Sequence, residues 1–266
     1  MVENEQSLIE GALKEAGVEQ GDIILVHSDS SAVREFTGLM WGDALRLLKE
    51  SFLRVLGENG TLIVPTFNWD FCKGKPYSHE KTRSQVGMFT NNVLFDERSI
   101  RSFHPIYPFA AIGPAAMDLF TDISKSSFGE DSVFHRLHQI NAKIVFFNIS
   151  FESCTFIHYV EQQKGISYRF LKQFTGKVSI GEKEYTDTFD FYARYLDRDI
   201  HPYFNRLFKD LLSTNNIREV KLINKYPILL SKCDVIYQNA LKGMESEPFY
   251  LIKSPPKMPT MELNDD

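Results

Sequence analysis

Residues 143–161 read KIVFFNISFESCTFIHYVE. The apolar run at 143–148 predicts a buried strand, and a polar loop follows it. The segment 154–163 then predicts a helix on which Thr155, His158 and Glu161 share one face, because they are spaced three residues apart. A histidine with a carboxylate one turn away, just past the end of a strand, has the arrangement of an oriented general base. Ligands in open α/β sheets bind outside the carboxyl ends of strands, so the stretch predicts both an α/β fold and a site.

The same spacing has a simpler interpretation. A histidine and a glutamate three residues apart are common on helices, where they form a solvated pair worth a few tenths of a kcal/mol. A zinc site needs further ligands, and the sequence near His158 and Glu161 offers no pair of cysteines or histidines to complete one. The residues alone therefore leave a general base and a solvated pair open, and they predict no metal.

Two more buried strands precede this stretch. Apolar runs at 23–26 and 61–65 flank a helical pattern at 42–56, which is the order of a βαβ unit. The first run ends in a small polar loop that contains His27, Ser28, Ser30 and Ser31. Such a loop can offer backbone N–H groups and hydroxyls to a phosphate, although it lacks the glycines and lysine of a P-loop.

The composition excludes several classes of protein. The chain has 266 residues and a net charge of −5, so no surplus of cations exists to neutralise nucleic acid. The three cysteines are far apart and odd in number, which indicates free thiols in a reducing compartment. A membrane-spanning run and a secretory h-region are both missing from the sequence. We therefore expect a cytoplasmic protein with neither nucleic acid nor membrane as a partner.

The character of the sequence changes after Glu161. A hairpin is predicted at 177–185 with its turn at Gly181, followed by helices at 202–212 and 233–243 around a strand at 220–223. We interpret residues 1–254 as one domain, with a core at 8–165 and an α+β portion at 166–254. The proline-rich end, 255–266, is predicted to be a flexible tail.

Seven pieces of the sequence, taken in order, resemble the aminoglycoside 3-N-acetyltransferase family. They cover residues 8–165 well and the remainder only loosely. The pieces are LVHSDS (25–30), LGENGTLIVPTF (56–67), GM (87–88), RSFHP (101–105), AIG (111–113), FGEDS (128–132) and TFIHYVE (155–161).

The resemblance implies a three-layer α/β/α sandwich with a mixed central sheet, completed by the α+β C-terminal portion on the acceptor side. It implies an N-acetyltransferase with acetyl-CoA as donor, the amine of an amino sugar as acceptor and no metal, and it leaves a homodimer open. His158 would be the base, oriented by Glu161 or by an acid of the C-terminal portion. The residues expected near coenzyme A or its thioester are His27, Ser28, Ser30, Ser31, Thr66, Arg101, Ser102, His104 and Thr155.

The sequence says less about the acceptor than about any other part of the predicted function. An enzyme for polycationic aminoglycosides should present clustered acids, and the acids at 187, 190, 197 and 199 form either such a cluster or a solvated face. The same region mixes aromatic residues with arginines, which favours a mono-amino sugar, nucleotide-linked as in surface polysaccharide assembly. Antibiotic resistance is the alternative. The aromatic residues are Phe189, Phe191, Tyr192, Tyr195 and Tyr203, and the arginines are Arg194, Arg198 and Arg206.

Three other chemistries stay open at this point. Cys154 lies close to His158 in sequence and could carry an acyl group. Ser28 or Ser30 could be the nucleophile of a hydrolase with His158 as base, although a Gly-x-Ser-x-Gly elbow is missing. Finally, the chain could bind coenzyme A without turnover.

Overall fold

The central sheet of the computed structural model, which describes residues 2–256, is mixed and has seven strands in the order β4-β5-β2-β1-β6-β10-β9. Strand β1 pairs in parallel with β2 and β6, and the other neighbours are antiparallel. The strands are β1 (Ile23–Ser28), β2 (Thr61–Pro65), β4 (Ile100–Arg101), β5 (Phe109–Ile112), β6 (Lys143–Phe147), β9 (Arg218–Leu222) and β10 (Tyr226–Lys232).

Helices cover both faces of this sheet. Alternate side chains of β1 enter two separate apolar cores, Leu25 on one face and Ile24 and Val26 on the other. Such apolar side chains on both faces are typical of a strand buried between two layers. One face carries α1 (Val2–Ala16), α2 (Ser31–Thr37), α3 (Trp41–Leu56) and α4 (Met88–Leu94). The other carries α5 (Ala116–Phe120), α6 (Val133–Gln139), α7 (Phe156–Lys164), α8 (Asn205–Ser213) and α9 (Cys233–Ser246). The predicted three-layer α/β/α sandwich with a mixed sheet is confirmed.

A second sheet is built from β3 (Tyr77–Ser78), β7 (Arg169–Ile180) and β8 (Lys183–Arg194). The turn at Gly181 is where the sequence predicts it, but each arm of the hairpin is 12 residues long, so the predicted segment is only its tip. The long arms place Arg169 opposite Arg194 at the base of the hairpin. The sequence did not predict the halves of the two arms next to the base of the hairpin, because buried and exposed residues do not alternate regularly there.

The C-terminal portion is part of the central sheet as well as of the second one. Strand β10, which the sequence did not predict, pairs with β6 and with β9. The segment 78–108 contains α4 and the short strand β4. Most of the predicted tail, 257–266, lies outside the described residues. Within the described residues, none of the helices is both long and apolar enough to cross a bilayer.

Gly113 provides a test of how tightly the sheet is packed. Its φ of 138° is one that L side chains rarely adopt, and a Cβ would collide with the backbone of Gly60 and Thr61. We expect Gly113→Ala to lower the free energy of unfolding by roughly 3–5 kcal/mol, from backbone strain together with the clash. Urea denaturation measures the loss.

Gly38→Ala is the matched control. Gly38 also has a positive φ, of 69°, but a Cβ there would meet open space. We expect this variant to lose only about 1–2 kcal/mol, the cost of the left-handed conformation alone. Equal losses in the two variants would show that the clash at Gly113 contributes nothing.

Candidate active site

The helix α7 holds His158 and Glu161 on one face. It ends at Gly165, whose φ of 69° lets its N–H return to the carbonyls of Glu161 and Gln162. Nδ1 of His158 lies 2.7 Å from Oε2 of Glu161. An ionised carboxylate can only accept, and at 2.7 Å it is closer to Nδ1 than the donor Nη2 of Arg169 at 3.0 Å, so we assign the proton of the neutral ring to Nδ1. Nε2 then holds the lone pair and is the nitrogen that remains for a substrate.

Glu161 is fully buried, and two neighbours compensate its charge. The hydroxyl of Tyr168 donates to Oε1 at 2.8 Å, and Nε of Arg169 lies 2.7 Å from Oε2. Burial acts to raise the pKa of Glu161, but Arg169, His158 and Tyr168 outweigh it and hold the pKa below its usual value. Glu161 is therefore an anion at neutral pH, held in place by ion pairing.

His158 is neutral for a related reason. Burial lowers its pKa below the usual value, and the guanidinium of Arg169, whose Nη2 lies 3.0 Å from Nδ1, lowers it further. Glu161 acts in the opposite direction but does not offset the other two. The solvated pair that the spacing left open is excluded, because the carboxylate has no contact with solvent.

Two cavities meet at His158 and Tyr107, which line both of them. The hairpin cavity has a volume of about 570 Å³, and the strand-end cavity has about 320 Å³. Beyond these two shared residues, the hairpin cavity is lined by Arg169, Phe170, Lys172, Phe174, Phe191, Ala193, Arg194, Tyr195, Leu196, Asp197 and Pro202. The strand-end cavity is lined by His27, Ser28, Pro65, Phe67, Trp69, Val86, Thr90, Ile149, Ser153 and Thr155.

Three predicted donor-side residues lie in the strand-end cavity with His158, namely His27, Ser28 and Thr155. The ring of His27 stacks on Phe146, and burial lowers its pKa to about 4. Nε2 of His27 and the hydroxyl of Ser28 are buried, and residues 2–256 supply neither with a hydrogen-bond partner. Buried polar atoms are normally bonded, so these two have unmet hydrogen-bonding capacity next to the cavity.

Three other predicted donor-side residues are close in sequence to residues that line this cavity, but they do not line it themselves. Ser30 is buried at the start of α2, and Ser31 is exposed with its N–H bonded to Asp29. Thr66 directly follows β2 and is fully buried, and its hydroxyl also lacks a hydrogen-bond partner among residues 2–256. The structure thus brings together only part of the predicted set.

Arg101, Ser102 and His104 bond to the backbone and do not line either cavity. Nη1 of Arg101 donates to the carbonyls of His79 and Thr82, at 2.7 and 2.8 Å. The hydroxyl of Ser102 accepts from the N–H of Phe109 at 2.8 Å. Nδ1 of His104 accepts from two backbone N–H groups, those of residues 106 and 107. These contacts stabilise the fold.

Arg169 and Tyr168 were missed by the sequence interpretation. They follow directly after the helix end at Gly165, within eight residues of Glu161. A buried carboxylate requires a compensating cation, so the nearest arginine past the helix was the signal that could have found them.

Two of the alternative chemistries lose support. Cys154 is fully buried, burial raises the pKa of its thiol to about 12, and it does not line the strand-end cavity. A thiol of that pKa is a poor nucleophile at neutral pH. The Ser28 hydroxyl makes no hydrogen bond to His158 in the described structure, so a serine–histidine pair is not formed.

The sequence model of the family described as aminoglycoside 3-N-acetyltransferase matches residues 25–245. The chain belongs to that family. The match runs from β1 into α9, so it contains the His158–Glu161 pair and the lining of both cavities. The resemblance stated on the sequence is confirmed.

Relatives in this family are distant. Aminoglycoside N(3)-acetyltransferase IV of Salmonella sp is 26% identical over 161 residues, and the alignment covers 59% of this chain and 59% of that relative. The chain thus matches less than two thirds of that relative's length.

Among solved structures, aminoglycoside acetyltransferase AAC(3)-Xa has a TM-score of 0.79 at 16% identity and 94% coverage of both chains. AAC-IIIb in a binary complex with CoASH has a TM-score of 0.78 at 16% identity, covering 94% of this chain and 98% of that one. The family fold therefore extends over nearly the whole chain.

The charges around His158 predict opposite titration shifts in two variants. Removal of the cation in Arg169→Met should raise the pKa of His158, whereas removal of the anion in Glu161→Gln should lower it. Histidine ring-proton shifts followed by NMR against pH measure both values. The same direction of shift in both variants would contradict the assigned roles of the two charges.

The backbone contacts of His104 predict a structural role for it. His104→Ala leaves two buried N–H groups without an acceptor, at about 1–3 kcal/mol each. We expect a lower urea midpoint and an unchanged affinity for coenzyme A in the fraction that folds, measured by calorimetry. Weaker coenzyme A binding at unaltered stability would instead return His104 to the donor site.

Proposed function

We propose that this chain is an N-acetyltransferase that moves the acetyl group of acetyl-CoA to the amine of an amino sugar. One observation carries the proposal: His158, fixed through Nδ1 by the buried Glu161, lies where two cavities meet. A base between two binding sites is the arrangement that direct transfer between two substrates requires.

The base removes the proton that blocks the amine. A sugar amine is largely protonated at neutral pH, and an ammonium group has no lone pair for attack. Nε2 of His158 takes that proton, and the amine nitrogen then bonds to the carbonyl carbon of the thioester. The imidazolium releases that proton to solvent, and Nε2 then takes the second proton from the nitrogen of the tetrahedral intermediate. The intermediate collapses to the amide with cleavage of the C–S bond, and the imidazolium gives this second proton to the thiolate. Glu161 stabilises the imidazolium while it exists.

The strand-end cavity supplies the donor side. It lies at the carboxyl ends of β1 and β2, where open α/β sheets bind ligands, and it contains the unbonded Ser28 hydroxyl and His27 Nε2. We assign the thioester to this cavity, with His27, Ser28 and Thr155 beside it. A hydroxyl aimed at the developing oxyanion contributes about 3–4 kcal/mol in measured cases. The fold relative with bound CoASH supports a coenzyme A site in this architecture.

The hairpin cavity supplies the acceptor side. Its wall comes mainly from β7 and β8. Two classes of amino sugar are the choices: an aminoglycoside, which the family description names, and a nucleotide-linked amino sugar of polysaccharide assembly. The charge of this cavity distinguishes them, as the next subsection argues.

The general base is tested by His158→Gln, which keeps a polar side chain of similar reach. We expect kcat to fall by about 10²–10⁴-fold, since a base contributes that much, while coenzyme A still binds. Thiol release from acetyl-CoA, followed with a thiol reagent and a panel of amino sugars, measures turnover. Glu161→Gln should cause a smaller loss, because it leaves the imidazole in place. A loss below tenfold in His158→Gln would remove His158 from the role of base.

The same assay separates transfer from the two remaining alternatives. Thiol release that depends on the amine indicates transfer, and release without an amine indicates a hydrolase. Binding of coenzyme A without any release would leave a binding protein.

A further inference from the structure

The hairpin cavity has a positive lining. Three of its side chains are cationic, namely Arg169, Lys172 and Arg194, and one is a carboxylate, Asp197. Arg169 is paired with the buried Glu161, so Lys172 and Arg194 set against Asp197 leave one net positive charge. A multiply charged cation entering this cavity would meet more repulsion than attraction.

Lys172 and Arg194 keep their charge available to a ligand. Arg194 donates through Nη1 to the backbone carbonyl of Ile200, a neutral acceptor, and its charge still acts on His158 by lowering the pKa of the ring. Lys172 is exposed, with Nζ 5.0 Å from the centre of the Phe174 ring. Across the β7–β8 hairpin, Lys172 pairs with Phe191 and Arg194 pairs with Arg169, and both cationic side chains line the cavity.

The acids that the sequence offered as a cluster for a polycation are dispersed. Asp187 pairs with Lys125 at 2.5 Å, and Asp190 accepts from Gln173 at 3.0 Å. Asp199 lies 2.9 Å from His201. Of the four predicted acids, only Asp197 lines the cavity.

The rest of the lining is aromatic. Phe174 and Phe191 have ring centres 6.3 Å apart and are tilted by 42°, and Phe170 and Tyr195 have centres 4.6 Å apart and are tilted by 32°. These rings offer flat apolar surface to a planar group. Of the aromatic residues that the sequence proposed, Phe189 and Tyr192 are instead buried in the core.

We propose that the acceptor is a nucleotide-linked amino sugar, with its phosphate groups on Lys172 and Arg194 and its base against the aromatic wall of Phe174, Phe191 and Tyr195. This rests on the proposed acetyl transfer and specifies its acceptor. Arginine and lysine are the side chains that bind phosphate most strongly, and the volume of about 570 Å³ suits a ligand of that kind. The amine is then presented to His158 from the hairpin side.

The test compares four acceptors in the thiol-release assay: UDP-glucosamine, glucosamine 1-phosphate, glucosamine and gentamicin. We expect kcat/KM to be largest for UDP-glucosamine, lower for glucosamine 1-phosphate and lowest for glucosamine and gentamicin. The preference for the two phosphorylated acceptors should weaken as salt is added, because charge attraction is screened. Equal values for UDP-glucosamine and glucosamine 1-phosphate would overturn the assigned base site.

Matched variants locate the phosphate. Lys172→Gln and Arg194→Gln should each raise KM for UDP-glucosamine about tenfold or more with little change in kcat, while Arg194→Lys should retain most of the affinity. Lys177→Gln is the control, since Lys177 is an exposed residue of the same strand that does not line this cavity. Unchanged KM in both glutamine variants, or a KM increase of the same size in the control, would overturn the phosphate site.

The same assay distinguishes a wrong acceptor proposal from an absence of acetyl transfer. If gentamicin is the preferred acceptor and Lys172→Gln improves its KM, the acceptor proposal is overturned and acetyl transfer stands. If all four amines, gentamicin included, leave thiol release at its background rate, the proposed transfer itself loses its support.

Discussion

The site depends on one buried charge pair, Glu161 with Arg169. The carboxylate has no solvent contact, and leaving such a charge unpaired costs several kcal/mol. Arg169 removes that cost, and it is also the first residue of β7. The ion pair thus ties the base of the long hairpin to the helix that carries His158. Because of this connection, the hairpin cavity opens directly beside the histidine.

The same pair sets the state of the histidine. Glu161 fixes Nδ1 as the protonated nitrogen, and burial together with Arg169 disfavours the imidazolium, so Nε2 has a free lone pair at neutral pH. A carboxylate next to a histidine would ordinarily favour the charged ring. Here the arginine offsets that effect while keeping the carboxylate ionised. The orientation of the ring and its neutral state are therefore controlled by different neighbours, which a histidine–glutamate pair alone could not achieve.

Much of the fold followed from local sequence, whereas the site followed only in part. The apolar runs identified β1, β2 and β6, and their parallel pairing brings His27 and Ser28 next to β6. His158 and Glu161 were predictable because helical spacing alone joins them. Arg169 was not, since its role depends on the hairpin docking at the helix. The donor-side roles of Arg101 and His104 stay predictions: both bond to loop backbone and line neither cavity, and sequence does not distinguish a polar cluster that bonds to backbone from one that binds a ligand.

The two cavities have different structural origins, and this difference bears on how specificity is set. The strand-end cavity is formed by the ends of central strands, whose side chains belong to the two cores, so its shape is constrained by the packing of the whole sandwich. The wall of the hairpin cavity is formed by strands of a separate three-stranded sheet, and several of its side chains, Lys172 and Leu196 among them, are exposed. Substitution of exposed residues usually changes stability by no more than about 0.5 kcal/mol. The charge of the hairpin-cavity wall can therefore change while His158, Glu161 and the strand-end cavity stay intact. The family description names aminoglycosides, which are polycations, whereas the wall of the hairpin cavity is positive. This difference is consistent with a wall whose charge varies independently of the rest of the site.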